Sequence, residues 1–454
     1  MEWRNGVDAN SLRLVAASQG RVGTDGDAAP GRGPQHRDQE VTVIFRIIRR
    51  SLALAVALVG ITAAFAGAAL ANTQWVNDNV AVGGNTSCAN PGFNDIQAAV
   101  TAAAAGDTVH VCAGTYAGGV DIPKTLNLVG AKAGVDARTR SQSGESIISG
   151  GGVLGGLFLH ADGIVVNGFT IRGEVNGPGI YTSPAFTGYK ILNDVVTGNV
   201  FGIYVNTGAG TQTLVQRNLI RNNNQTGAAN GNGIYTDQGT QDVLVSQNTF
   251  RRNMNSAVLF TNVSPTVNSN ITVRSNLAVN NASFVLLFGR NNGVTISSNH
   301  TNDTIASDNA NQGSAVRIDG DADGIAIRRN TILHSPFSGV AVRNGALEDT
   351  AGPVGVEIAF NTIKFAVNDG IDVTSTVPES VNAHGNTIRH SRNDGIFFDA
   401  GTSGNTIASN SALSSKVWDC QDLSSGTGTA GTANSWTHDI GVKDSPNGLC
   451  HKPS

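Results

Sequence analysis

From about residue 164 onward, short apolar stretches recur along the chain, each alternating apolar with polar residues and each followed by turn-forming residues. "GIYVN", "AVLFT", "GVAVR", "GIDVT" and "GIFFD" share this form. A period of two gives a strand one buried and one exposed side. An Asn stands beside many of these strands, as in "VLVSQNTFRRN", "IAIRRNTILHS", "VEIAFNTIKFA" and "VNAHGNTIRHS". The recurring positions are Asn167, Asn193, Asn218, Asn248, Asn276, Asn299, Asn330, Asn361, Asn386 and Asn405. Their mean spacing, (405 − 167)/9, is about 26 residues, the length of one solenoid repeat. Nine residues after Asn193, Asn248, Asn330, Asn361 and Asn386 comes Gly or Ala and then the next alternating strand. No such unit buries its apolar side alone. Stacked as successive coils, the units share one core, with each Asn at an inward corner bonded to its counterparts above and below.

This pattern resembles the right-handed parallel β-helix proteins of the pectin lyase-like group. The stretch "FNDIQAAVTAAAAGDTVHVCAGTYAGGVDIPKTLNLVGAKAG" resembles the way many secreted members begin, with a capping helix starting around Asn94 and Asp95. The end, "WDCQDLSSGTGTAGTANSWTHDIGVKDSPNGLC", resembles the C-terminal cap of bacterial members. The resemblance covers nearly all of 75–450 and implies an all-β fold. It implies little about activity, because this fold hosts lyases, hydrolases, epimerases and adhesins. No Pro- or Ser-rich linker divides 93–410, so one long domain is expected. Its divisions are 72–135 for the N-terminal cap and first coils, 136–412 for the repeats and 413–454 for the C-terminal cap.

Composition agrees. Charged residues are 14% of the chain, Gly numbers 56, and the net charge is −4, which gives nucleic-acid binding no global electrostatic support. Residues 46–71, "RIIRRSLALAVALVGITAAFAGAALA", join a basic segment (Arg46, Arg49, Arg50) to an apolar run ending in small residues at Ala69 and Ala71. This reads as a signal peptide over 43–71, cleaved after Ala71, and so as a secreted chain with no membrane anchor after cleavage. Residues 1–42 are polar and read as a disordered or misassigned start. Removing 71 residues takes 8 of 30 cations and 6 of 34 acids, leaving 22 and 28, net −6. Four cysteines in an exported chain imply disulfides, and Cys88–Cys112 with Cys420–Cys450 is the most local of three pairings. No CxxC spacing supports zinc.

With Ile, Val and Phe inward, the outward residues fall into columns. The first reads Tyr181, Tyr204, Tyr235, Leu259, Leu287, Arg317, Ala341, Asp372 and Phe397. The second reads Ser183, Asn206, Asp237, Thr261, Gly289, Asp319, Arg343, Thr374 and Asp399. The tyrosines suit sugar rings, or equally the ordinary pairing of aromatics across strands. Arg317, Asp319, Arg343, Asp372 and Asp399 gather both charge signs. Asp372 and Asp399 have the spacing of a glycosidase acid and base, and Arg343 is placed to hold a uronate carboxylate. A solvated face of mutually paired ions is the other reading. A further strip of Arg221, Arg251, Arg252, His334, Lys364, Arg389 and His390 follows the Asn column. Finally, "AVRIDGDADGIAIRRN" begins like an EF-hand loop, but helices are lacking on both sides and the twelfth position is Asn330. It reads as a tight turn, with Asp319, Asp321 and Asp323 as a candidate calcium site.

The chain lacks the GHG motif with paired aspartates, RxPxxR, DPHD, GxSxG and HExxH. Two classes of function remain. One is a monomeric secreted protein that binds or processes a polysaccharide, an anionic one among the candidates, as a lyase or hydrolase. The other is a non-catalytic surface or matrix rod that binds glycan.

Overall fold

The computed structural model describes residues 71–152, 154–262, 267–302, 313–344, 352–374 and 380–453. The signal-peptide reading and the polar start lie outside the described residues, apart from Ala71. Among the described residues no helix is long and apolar enough to cross a membrane.

Each coil visits three parallel sheets in turn. Among the described residues sheet 1 has 15 strands, from Thr73–Val76 to Ser435–Thr437; sheet 2 has 12, from Gly114–Ala117 to Ser411–Leu413; sheet 3 has 13, from Val120–Ile122 to Asp444–Ser445. Each inner strand of a sheet pairs in parallel with the strand one coil before and one coil after, and Ala322–Asp323 adds a short pairing beside Asn291–Ser297. The fold is a right-handed parallel β-helix, the sense that parallel crossovers take. Inward residues stack in register along sheet 1: Val166, Ile191, Val215, Val245, Val273, Ile296, Ile327 and Ile358. All are fully buried, and branched side chains of this kind fit a pleated surface covered on its inner side. Sheet 2 varies its volumes instead, with Phe250 stacked on Ala278.

The corner between sheets 1 and 2 sets the register. At its tip sits a residue with left-handed backbone: Arg217, Gln247, Ser275, Ser298, Arg329, Phe360, Gly385 and Ser409, with φ between 54° and 64°. The next residue is the ladder Asn, turned inward. Asn330 shows the bonding. Its Oδ1 accepts the backbone N–H of Asn299 at 3.0 Å and the Asn299 side-chain amide at 2.9 Å. Its own amide donates to the Ile296 carbonyl and to Asn361 Oδ1, both at 2.9 Å. A buried carboxamide thus satisfies all four of its hydrogen-bonding positions. The same pattern runs from Asn218 through Asn248, Asn276, Asn299, Asn330, Asn361 and Asn386 to Asn410. Three sequence positions need correction: Asn167 stands in a strand of sheet 1, two residues before the inward place, which Phe169 takes on that coil. At the N-terminal end the inward residue is Asp194 and Asn193 is the tip; near the C-terminal end it is Asn410, while Asn405 bonds Asn434 in a separate corner. Asp439 closes the ladder, accepting both Asn410 donors at 2.8 Å.

The recurring Gly also has a steric cause. A Cβ on Gly370 would lie 2.6 Å from the Gly395 carbonyl oxygen, so only glycine lets adjacent coils approach there. At the N-terminal end α1 (Ile96–Ala102) buries Ile96, Ala99 and Val100 against the first coils, and Asp95 caps it by accepting the Ala98 N–H at 2.8 Å. Cys88–Cys112 and Cys420–Cys450 are both disulfides. In the C-terminal cap Trp436 enters the core beside Phe398, its indole N–H donating to Asp422 at 2.8 Å.

A second, shorter ladder follows sheet 2 through Asn199, Asn223, Asn253 and Asn281. One coil earlier its place is held by Glu174, and the coil before that by Gly151, whose Cβ would lie 2.3 Å from Glu174 Oε2. Both Glu174 carboxylate oxygens are buried without a hydrogen-bond partner, and burial raises its pKa from 4.5 to about 7.

Replacing Asn330 with Ala orphans buried donors on Asn299 and the Ile296 carbonyl. Chemical denaturation of Asn330→Ala is expected to show a loss of about 4 kcal/mol, at about 1–3 kcal/mol per unsatisfied buried group. Glu174 predicts a pH effect. An acid held above its unfolded pKa favours the folded state while protonated, so that contribution is lost as pH rises from 4.5 to about 7. Melting curves across this window should show Glu174→Gln flattening the decline.

Candidate functional site

The outer surface of sheet 3 carries the columns read from the sequence, with two corrections. Leu259 pairs with Leu286 and Leu286 with Arg317, so Leu286, and not Leu287, stands in the first column; Leu287 points into the core. In the second column Thr261 pairs with Phe288 and Phe288 with Asp319, displacing Gly289. The apolar run "SFVLLFG" offers no alternation to count, so a reading of the sequence slips there by one residue.

At the N-terminal end four rings stack along the first column. Phe158 and Tyr181 have centroids 5.0 Å apart, Tyr181 and Tyr204 4.7 Å, and Tyr204 and Tyr235 5.6 Å. Tyr204 and Tyr235 are buried at 6% and 5% exposure, in an apolar cluster with Val200, Phe201, Leu259 and Leu286. They are therefore not an open platform. Their hydroxyls converge on Asp237: Tyr204 donates to it in a short contact, Tyr235 donates at 3.0 Å, and Gln238 donates to the Tyr204 oxygen at 2.9 Å. Burial first, then the Asp237 charge, pushes both phenols well above their usual range, so neither serves as a base near neutrality. Burial also raises the Asp237 carboxyl, against the phenolic hydrogen bonds that lower it. The half-exposed end of the stack is Tyr181, Phe158 and His160, with His160 against Phe158 at 4.5 Å and 3.3 Å from Asp121.

At the C-terminal end charged residues form a packed network. Arg317 and Asp319, exposed by 6% and 2%, make an ion pair, and the guanidinium lies over the Phe288 ring at 5.4 Å. Burial lowers the Arg317 pKa, with Asp319 opposing. Arg343 pairs with buried Asp372 at 2.6 Å and lies over Phe337 at 5.1 Å. Asp372 also accepts from Ser338 at 3.1 Å and Thr374 at 2.8 Å. The Arg343 side chain keeps 27% of its surface in solvent, and its Nε N–H has no acceptor.

Asp399 does not join this network. The strand partner of Asp372 is Phe397, and Asp399 lies beyond the strand end, accepting the Ala400 N–H within its own turn. The acid and base reading of Asp372 with Asp399 is not supported by this geometry, because Asp372 is committed to Arg343. The titratable acid beside it is one the sequence reading passed over. Asp369 is buried, accepts from Asn368, Asn393 and the Asp394 N–H at 2.6, 2.8 and 2.8 Å, and is raised to about 7 by burial, with the Asp372 and Asp394 charges adding. Its signal was the repeated "NDG" at 368–370 and 393–395.

The calcium reading also changes. Asp319 faces Arg317 in a strand, Asp321 lies in the turn 3.5 Å from Arg290, and Asp323 is exposed. Among the described residues no group of three His, Cys, Asp or Glu is placed to hold a metal.

Three parallel sheets with an Asn ladder at the first corner are the architecture of the pectin lyase-like group. The chain has that fold. No protein-family profile matches the chain, and no curated protein does. Solved structures that it resembles include a periplasmic alginate epimerase (14% identity, TM-score 0.43, 68% of this chain and 74% of that one). Another is the A-module of an Azotobacter vinelandii mannuronan C-5 epimerase (14%, 0.37, 76% and 82%). A third is the catalytic unit of an α-1,3-glucanase from Streptomyces thermodiastaticus (15%, 0.41, 69% and 62%).

Removing Arg343 leaves Asp372 buried and unneutralised. Arg343→Ala should destabilise the protein by about 3 kcal/mol, and adding Asp372→Asn should restore most of it. Denaturant melts of the two variants check this; equal stability of Arg343→Ala and wild type would refute the pairing.

Proposed function

We propose that the protein is exported and binds an acidic polysaccharide along the outer surface of sheet 3. The observation that carries this reading is Arg343: a partly exposed guanidinium, fixed from behind by Asp372 and from the side by Phe337. A planar cation held this way suits a carboxylate. Tyr181 and Phe158, further along the same column, offer half-exposed ring edges for neutral parts of the chain.

A processing activity on the same polymer is the second reading, and Asp369 favours it. A carboxyl raised to about 7 beside a guanidinium-bound carboxylate is poised to exchange a proton near neutrality. Arg343 would then neutralise the substrate acid group, as elimination next to a uronate requires.

The test uses polygalacturonate and neutral dextran with the full chain freed of residues 1–71. Calorimetry should show polygalacturonate binding, about tenfold weaker in Arg343→Gln and in Tyr181→Ala. No heat with polygalacturonate, or equal heat with dextran, overturns the reading. Ultraviolet absorbance from unsaturated uronate marks a lyase, and new reducing ends without it mark a hydrolase. Binding with neither product leaves the non-catalytic rod.

A further inference from the structure

Sheet 2 differs from the other two in its charges. Its 12 strands contain no Asp or Glu among the described residues, yet they hold Arg172, Arg221, Arg251, Lys364 and Arg389. Sheet 3 by contrast holds Asp121, Asp319, Asp372, Asp422 and Asp444 against Arg317 and Arg343. A sheet with five cations and no acid is not what a chain of net charge −4 would produce by an even scatter.

The register sharpens the contrast. The five cations share one outward column, which runs Arg172, Thr197, Arg221, Arg251, Val279, Asn302, Leu333, Lys364, Arg389. Among the described residues none of the five is in an ion pair. Like charges on adjacent rungs, about 4.8 Å apart, repel. Arg221 stands next to Arg251, and Lys364 next to Arg389, so the fold carries two such repulsive contacts with no local acid to relieve them.

The residue after this column turns the next corner, again with left-handed backbone. In the C-terminal coils it is His334, Phe365 and His390, with φ of 52°, 60° and 58°. Their rings stack nearly parallel, at 5.0 and 5.3 Å with interplanar angles of 9° and 10°, and all three are exposed. His334 is also held by Asn302, 3.0 Å from its Nδ1. Small polar residues serve this corner elsewhere, as Asn222, Asn280 and Ser414 show. Three exposed rings gain no core packing there, so the turn itself does not call for them.

We propose that this column and ring stack form a second binding surface, separate from the Arg343 site, for an acidic polysaccharide running along the helix axis. The spacing favours a polymer over a small anion: the Arg221–Arg251 pair and the Lys364–Arg389 pair are four rungs apart, about 19 Å, from Arg251 to Lys364. The exposed rings favour a sugar polymer, since the stack presents a row of apolar ring edges to a pyranose while the flanking cations meet its acid groups. Such a surface holds the protein on a gel or matrix while sheet 3 remains free.

The experiment compares polygalacturonate, dextran and double-stranded DNA binding to the full chain freed of residues 1–71. Four proteins are used: wild type, the triple variant Arg251→Gln, Lys364→Gln, Arg389→Gln, the variant Phe365→Ser, and Arg343→Gln. The substitutions on sheet 2 lie on exposed (Arg251) or half-exposed (Lys364, Arg389) positions, and unchanged melting confirms that the fold is kept. The expected result is polygalacturonate binding that weakens about tenfold in the triple variant, falls with added salt, and drops in Phe365→Ser, with dextran inert. Unchanged affinity in the triple variant overturns the proposal, and if Arg343→Gln alone abolishes binding the sheet 3 reading survives without it. Loss in the triple variant with Arg343→Gln unaffected supports this surface and removes the other. DNA bound as tightly as polygalacturonate overturns the assignment to a polysaccharide.

Discussion

The hydrogen bonding of one buried amide per coil governs this molecule. Each Asn from Asn218 to Asn410 lies in an apolar interior, where an unmet donor or acceptor is costly, and each finds its partners only if the neighbouring coils stand one strand spacing away in exact register. A slip of one residue would strand the amides of two coils and turn every inward Ile and Val outward. The left-handed residue at the tip makes this arrangement possible, because it bends the chain sharply enough to aim the next side chain inward. That residue is itself outside the core, so Arg, Gln, Ser and Phe all occur there.

Since the interior is uniform, the chain can differ from coil to coil only on its outer surfaces and at its corners. Sheet 3 uses that freedom to pack charge against aromatic rings: Arg317 over Phe288 and Arg343 over Phe337, with Asp319 and Asp372 beneath. Buried ion pairs of this kind are seldom the most stabilising way to fill space. Their presence on an outward surface, rather than the Leu259 and Leu286 found a few coils earlier, is what singles out this end of the sheet.

Much of this architecture was legible in the sequence, because the ladder and the alternation are both periodic. The cap helix at Asp95, the two disulfides and the coil order follow from local signals or from the family resemblance. The misreadings share a physical origin. Asn193 and Asn405 look like ladder residues, but whether an Asn lies at the tip, at the inward place or at another corner depends on a backbone torsion that composition does not record. Leu286 and Phe288 were misplaced because a run of apolar residues has no period to count. The burial of Tyr204, Tyr235 and Asp372 escaped notice for a different reason: an outward side chain can still be covered by its neighbours, and strand alternation predicts direction, not exposure. Asp369 was missed because its pKa is raised chiefly by burial, which sequence alone does not show, with smaller additions from Asp372 on its own coil and Asp394 one coil on.

The ladder also has a direction, and Asp439 is where it stops. Every Asn receives from the coil before it and gives to the coil after it, whereas a carboxylate only receives; the second oxygen of Asp439 is taken by the Thr437 N–H at 3.2 Å. A further coil added beyond Asp439 would meet no side-chain donor, and neither would the corresponding surface of a second molecule placed end to end. An Asn coil inserted in the middle finds a donor on one side and an acceptor on the other, whereas a coil that follows a carboxylate, as Asn218 follows Asp194, receives only a backbone N–H.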